Sequence, residues 1–285
     1  MSISGIIHTF NEERNIANAI KSLLPWVDEV VIIDMYSDDN TRQIAESLGA
    51  RVVFHERVAV VEPAREFGIA QARGNWIISI DADEMVPATL GARLTDIADR
   101  DEADVVMIFM DTFMMGAQIS GGGWGLGYEV HPRFFKAGKV QFPPFVHSRH
   151  SIAKEARILK LDPVRELAIL HFNYIDASQV LRKFDRYTTV EAEGRRARGM
   201  KASVADSVKA AGRAFVARYF YRRGYRAGWR GLFMCSLMSM YEIAALAKHK
   251  EFEDRELNGT TESRYAAIAE DLLNQYQLPL AGRPK

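Results

Sequence analysis

A single cysteine in 285 residues, Cys235, leaves no partner for an internal disulfide and no cysteine-rich metal site. An excess of either charge is missing too: 37 Lys and Arg stand against 37 Asp and Glu, so no global field argues for a nucleic-acid partner. There is no low-complexity tract and no internal repeat. The first residues enter a strand pattern without the basic start and long apolar core of a signal peptide. The longest apolar stretch near the end, residues 232–247, contains Glu242 and is too short to cross a bilayer. No Gly-x-Gly-x-x-Gly follows the first apolar run and no Gly-Lys-Ser/Thr occurs, which excludes dinucleotide and P-loop binding. These absences describe an ordinary cytoplasmic globular chain, long enough for a sizeable core.

What is present begins with short apolar runs alternating with helical patterns. Residues 3–8, 29–34, 51–55, 76–80 and 104–110 read as strands. Between the first two, Thr9 to Glu12 has capping-box spacing, with Asn11 as a competing N-cap. Ile16, Ile20, Leu23 and Leu24 follow on one helical stripe, which Pro25 stops. Gly49 is placed to close the second helix, Pro63 to open the third and Gly74 to end it. Such alternation predicts an α/β fold, a mainly parallel sheet flanked by helices. Beyond Asp111 glycine, proline and aromatic residues mark an irregular or short-stranded segment, and from Ala177 the pattern is helical again. The expected organisation is an α/β half at 1–112, an irregular or β segment at 113–176 and a helical C-terminal extension at 177–285.

The run Trp-Ile-Ile-Ser-Ile-Asp-Ala-Asp-Glu at 76–84 carries the chemistry. Alternation along a strand lets Asp81 and Asp83 face the same way. At the carboxyl end of a parallel strand they form a hard oxygen site suited to Mg²⁺ or Mn²⁺ on a diphosphate. The spacing alone is weak, since Asp99-Arg100-Asp101 repeats it at what reads as a helix end. Thr9, Asn11 and Asp34 follow other strands and converge on the same rim, where each is also a plausible cap or turn former. Together they favour a phosphate-bearing polar ligand, with Arg65 a candidate cation.

Several blocks in order then resemble family-2 glycosyltransferases of the glycosyltransferase-A fold. They are Thr9-Phe10-Asn11-Glu12-Glu13-Arg14-Asn15-Ile16, the run from Trp26 to Asp34, Asp38-Asp39-Asn40-Thr41, Ala50-Arg51-Val52 and the run from Gly74 to Glu84. Weaker likeness continues through Gly122-Gly123-Trp124, Arg133-Phe134-Phe135, Val146-His147 and His171-Phe172-Asn173-Tyr174, similar to the branch containing bacterial lipopolysaccharide-core β-glucosyltransferases. The resemblance implies that Thr9, Asn11, Glu12 and Asp34 contact a nucleotide-sugar donor, a UDP-sugar by preference. Arg65 would sit near base or phosphate, Asp81 against the ribose, and Asp83 on the divalent cation, with His147 able to complete the metal shell. An inverting transfer needs a general base; Glu129 is the nearest match and Asp111 the rival. Trp124 and Tyr128 are candidates to stack on the acceptor sugar.

The chain departs from that branch in four places. Met35-Tyr36 replaces a small Ser-Gly pair, Glu66 replaces an asparagine, Ser148 replaces a glutamate, and residues 128–132 lengthen the block before Arg133. Arginines and aromatics interleave from Arg213 to Arg230, a composition suited to an anionic membrane surface. The expected activity is metal-dependent sugar transfer to a glycan or glycolipid acceptor in lipopolysaccharide or surface-polysaccharide synthesis, at the inner face of the cell membrane. A nucleotidyltransferase on a similar sheet and a non-catalytic nucleotide-sugar binding protein are the alternatives.

Overall fold

The computed structural model describes residues 1–58, 62–142, 150–200 and 203–277. Strands β1 (Ile3–Thr9), β2 (Glu29–Asp34), β3 (Arg51–Phe54) and β4 (Trp76–Asp81) run parallel in the order β3-β2-β1-β4. Three helices connect them: α1 (Ile16–Leu23), α2 (Thr41–Ser47) and α3 (Glu62–Ala70). β1, β2 and β4 are apolar on both faces because both faces are covered. Ile7, Ile32, Ile78 and Ile80 pack under α1 and under α4 (Ala88–Asp99), while Ile6, Val31, Ile33 and Ile77 pack on the opposite side with Phe67 and Ile69 of α3.

The two-residue strand β5 (Glu84–Met85) precedes α4, so the run expected as a fifth strand is β6 (Val105–Met114), which ends four residues later than expected. β7 (Ala117–Gln118) turns back on it. β8 (Val130–Lys136) then inserts antiparallel between β4 and β6. Small strands β9 (Val140–Gln141), β10 (Ser151–Ile152) and β11 (Ile158–Lys160) follow. β12 (Ile169–Tyr174) lies parallel to β6 and antiparallel to β5. The long sheet therefore reads β3-β2-β1-β4-β8-β6-β12-β5. Trp76 stacks on Phe134 with ring centroids 4.6 Å apart, holding β4 to β8.

Local details differ from expectation for physical reasons. Thr9 stays in β1, and α1 begins only after the Glu12 carbonyl has accepted the amides of Asn15 and Ile16, so the capping-box spacing goes unused. Leu24 lies past the helix and is exposed. Gly49 does close α2, at φ +81°. Gly74 does not close α3, which ends at Ala70; a Cβ there would come within 2.8 Å of the Ser4 amide, so β1 needs the glycine.

The C-terminal part is α5 (Ala177–Ala197), α6 (Val204–Val216), a π-turn (Ala217–Tyr221), a 3-10 turn (Gly224–Ala227), α7 (Gly228–Asn258) and α8 (Thr261–Gln277). Asp176 caps α5 by accepting the Gln179 amide at 2.7 Å. The apolar stretch expected to be too short to cross a bilayer belongs to this longer helix. The 31 residues of α7 rise about 46 Å, and the helix is long and apolar enough to cross a membrane by length and composition. Its Glu242 is spoken for within the protein, taking Arg195 of α5 at 2.8 Å while Arg195 also reaches Glu191 at 2.7 Å.

Candidate active site

The carboxyl ends of the parallel strands bring their polar residues into one row. Across the sheet the register pairs Asp34 with Thr9, and His8 with Asp81. A cavity of about 370 Å³ opens over this row, lined by His8, Thr9, Glu12, Asp81, Asp83 and His171 together with residues of α5. The sheet supplies the floor and the first turns of α5 supply a wall.

Asp81 ends β4, but Ala82 and Asp83 form a turn into β5 and do not continue the strand. The two carboxylates consequently go to different partners instead of facing one way. Asp81 receives both bonds of Arg65 Nη2, at 2.9 Å each, and Arg133 Nη2 lies 3.4 Å from it. Burial works against its charge, yet Arg65 and Arg133 hold the carboxyl well below the usual range. Glu84, fully buried, accepts Arg133 at 2.6 Å and the Asp81 amide at 2.8 Å. Burial pushes the Glu84 carboxyl up against the pull of Arg133.

Asp83 turns to His171 of β12, with Oδ2 3.6 Å from Nε2. The β12–β5 ladder fixes this approach, because the Phe172 amide donates to the Asp83 carbonyl at 2.9 Å. Burial disfavours the imidazolium, but Asp83, with Glu84 and Asp81 behind it, pushes His171 up to about 9. A carboxylate and an imidazole side by side on a cavity wall are a donor pair for a divalent cation. Among the described residues no cluster of three or more such groups occurs, so further ligands would come from a bound phosphate or water. His147 lies outside the described residues, as does the Val146–Ser148 block.

On the other flank Asp34 is buried and accepts the amide and hydroxyl of Ser37, at 3.0 and 2.5 Å. Asn11, at φ +54°, exchanges side-chain bonds with Asp38, which ties the loop after β1 to the loop after β2. Thr9 Oγ1 is buried without a hydrogen-bond partner among the described residues. Glu12 lines the cavity, and burial, reinforced by Asp83, raises its pKa although Asn15 donates to it. His8 is buried, and burial with Arg65 nearby lowers it to about 3, so it is neutral. The Tyr36 that replaces a glycine sits at φ +58° with its ring stacked on Phe54, 5.2 Å between centroids. The backbone there is left-handed, the reason a glycine would suit it. Glu66 accepts the Phe142 amide, a local structural use for that departure.

Glu129 follows the glycine-rich loop. Its Oε2 accepts Thr112 Oγ1 at 2.6 Å and the Gly125 amide at 2.9 Å. It stands close enough to act on the charge of Tyr174, which lines the cavity. Asp111, three positions before the end of β6, is fully buried between Gln118 at 2.6 Å and Arg165 at 3.2 Å. Trp124 is partly buried against Met114, Met115 and Ile119, with Arg218 5.0 Å above its ring. Tyr128 is exposed in the same loop. That loop is pinned to the C-terminal part: the Gly122 amide donates to the Arg222 carbonyl at 2.7 Å and its carbonyl accepts Arg218 at 2.9 Å. At Gly121, φ +127°, a Cβ would lie 2.6 Å from the Arg223 carbonyl. The second Asp-x-Asp takes no part, for α4 ends at Asp99 and Asp101 pairs with Arg157 at 3.0 Å.

Sequence reasoning assigned no role to Arg133, Glu84 or the α5 side chains Lys183, Arg186 and Tyr187. A lone arginine inside the apolar strand Val-His-Pro-Arg-Phe-Phe was the available signal for the first. The helical pattern marked Tyr187 only as part of one helix face, with Val180 and Phe184, and nothing marked Lys183 or Arg186.

The family model of glycosyl transferase family 2 matches residues 4–150, just over half of the chain. An uncharacterised glycosyltransferase of Rickettsia typhi is 23% identical over 282 residues, 96% of each chain. The lipopolysaccharide core biosynthesis glycosyltransferase LpsC of Rhizobium meliloti is 23% identical over 268 residues, covering 87% of this chain and 92% of its own. Among solved structures, residues 1–349 of S. aureus TarS superpose with a TM-score of 0.49 at 15% identity, over 91% of this chain and 92% of that one. Glucosyl-3-phosphoglycerate synthase of Mycobacterium tuberculosis, crystallised with Mn²⁺, UDP-glucose and phosphoglyceric acid, gives 0.33 at 26% identity over 41% and 45%.

Proposed function

The chain belongs to glycosyltransferase family 2, and from that premise we propose that it moves a sugar from a nucleotide-sugar donor, a UDP-sugar by preference, with inversion. The acceptor is a glycan or glycolipid of lipopolysaccharide or surface-polysaccharide synthesis, presented at the inner face of the cell membrane. The observation that carries this reading is the division of labour at residues 81–84. Asp81 is saturated by Arg65 and Arg133, whereas Asp83 faces the cavity beside His171.

In this reading Thr9, Asn11, Glu12 and Asp34 border the nucleoside, and the unpartnered hydroxyl of Thr9 is a contact waiting for it. Asp81 fixes Arg65 and Arg133 over the ribose side. Asp83 and His171 would hold Mg²⁺ or Mn²⁺, and a cation there would supply positive charge toward the diphosphate. His171 must give up its proton to serve as a ligand. Hard divalent sites commonly take only one or two carboxylates and fill the rest of the shell from phosphates and water.

Glu129 is the general base. Its two bonds both fall on Oε2, leaving Oε1 to receive the acceptor proton, while Asp111 is enclosed by Gln118 and Arg165. Trp124 and Tyr128, in the glycine-rich loop next to it, border the acceptor side. Glu129→Gln is expected to lower kcat about 100-fold with UDP affinity unchanged in calorimetry. Unchanged kcat would return the role to Asp111.

The whole reading is tested by a hydrolysis screen of UDP-, GDP- and dTDP-sugars. The expected result is turnover of one donor, abolished by EDTA and restored by Mn²⁺ or Mg²⁺. UDP binding without turnover of any donor would make this a binding protein. Turnover indifferent to EDTA would remove the metal from the mechanism.

A further inference from the structure

The face of α6 and the turns that follow it combine exposed apolar side chains with unpaired basic ones. Val204, Val208, Val216 and Phe220 recur at helical spacing and are all exposed, Val204 at 64% and Phe220 at 57%. With Gly212 between them they make an apolar ridge that winds slowly round the helix. Tyr221 at 82%, Tyr225 and Trp229 at 59% continue it past the end of α6. Lys209, Arg213, Arg222, Arg223 and Arg226 flank the ridge, and none is ion-paired to a described residue. The two inward arginines have structural work: Arg218 reaches the Gly122 carbonyl and Arg230 the Met115 carbonyl. From 203 to 230 the only acid is Asp206, so a chain of zero net charge is locally strongly basic.

We propose that this ridge is a membrane-docking surface that adsorbs to anionic lipid. The apolar ridge and aromatic side chains enter the headgroup boundary, and the unpaired basic residues meet lipid phosphates. Charge selects lipid over a second copy of the chain. A self-complementary contact would set these arginines against one another with almost no carboxylate to oppose them.

The position of the surface suits the acceptor proposed above, and the proposal deepens that reading. Arg218, inward of this face, lines a groove of about 400 Å³ between α5, α6 and α7. Tyr187 lines that groove and the donor cavity alike. A glycolipid lying in the membrane would meet the enzyme beside this groove, which adjoins the donor cavity at Tyr187.

Sedimentation of the full chain with phosphatidylcholine vesicles, with and without phosphatidylglycerol, tests the surface at low salt. Binding is expected only with phosphatidylglycerol and should fade as salt rises. Arg222→Ala with Arg226→Ala should lower the partition coefficient roughly 20- to 30-fold, since each basic residue near an anionic surface contributes about fivefold. Phe220→Ser with Tyr221→Ser should also release the protein, and both double variants should bind UDP like the parent, which shows that they are folded. No adsorption at low salt, equal adsorption to phosphatidylcholine alone, or indifference to both double variants would overturn the proposal. So would a dimer in light scattering that Phe220→Ser with Tyr221→Ser dissociates. Failure to adsorb alongside turnover of a nucleotide sugar in solution defeats only this surface. Adsorption without turnover of any donor defeats only the transfer reading.

Discussion

Asp83→Ala is expected to lower glycosyl transfer about 10³- to 10⁴-fold and to abolish its dependence on divalent metal. The magnitude follows from the several kcal/mol that a cation contributes to charge on a leaving group. Asp83 is also the carboxylate left for a cation, because Asp81 is already committed to Arg65 and Arg133. Its neighbour His171 cannot replace it, because a neutral imidazole brings no negative charge to a hard divalent cation. The fold should tolerate the change, since the Asp83 backbone carbonyl still accepts the Phe172 amide of β12 when the side chain is gone. The measurement is steady-state transfer across a Mn²⁺ titration, with UDP binding in the absence of metal as the control. Full activity with an unaltered metal response would sink the assignment of Asp83.

Arg133→Met is expected to destabilise the protein by about 3–5 kcal/mol, the usual consequence of removing one partner from a buried ion pair. Arg133 links Glu84, Asp81 and the Ser79 carbonyl from the middle of the sheet. Without it, Glu84 keeps only the Asp81 amide and must carry its charge buried or take up a proton. That choice sets the sign of a pH effect. A carboxyl whose folded pKa is raised binds protons more readily folded than unfolded, so its cost grows as pH rises through that pKa. The deficit of Arg133→Met should accordingly be smallest in mild acid and largest at neutral pH. Adding Glu84→Leu should recover most of the stability, because apolar replacements of a buried pair pack without the desolvation cost. Denaturant midpoints across pH would show this, and a variant as stable as the parent at neutral pH would mean the network contributes nothing.

The parallel half of the fold was legible because its strands are buried on both faces and therefore apolar throughout, as in β1 and β2. The rim was legible for the same reason: a polar residue directly after such a run has few places to be except the strand's carboxyl end. What the sequence did not show was pairing at long range. Asp81 and Asp83 look equivalent in a strand, and only the turn at Ala82 and the arrival of β8 and β12 send one to two arginines and the other to a histidine. Capping and stop signals misled where tertiary needs took over, as at Gly74, which serves close packing on Ser4. Lys183 and Arg186 were invisible, and Tyr187 legible only as a helix-face residue, because a cavity-facing turn of α5 has the composition of an ordinary wet helix.

The β12–β5 ladder has a consequence for the order in which this site comes into being. His171 meets Asp83 only when a strand made 88 residues later closes on β5. The stretch that carries the family's signature, residues 4–150, ends before that strand is synthesised. It contains the carboxylate but not the imidazole. β8 inserts into the sheet in the same late fashion, bringing Arg133 to a carboxylate laid down half a hundred residues before. Contacts of such separation close slowly, after the local helices and neighbouring parallel strands have formed. The nascent chain thus builds its parallel shelf first and brings the imidazole and the guanidinium to it last.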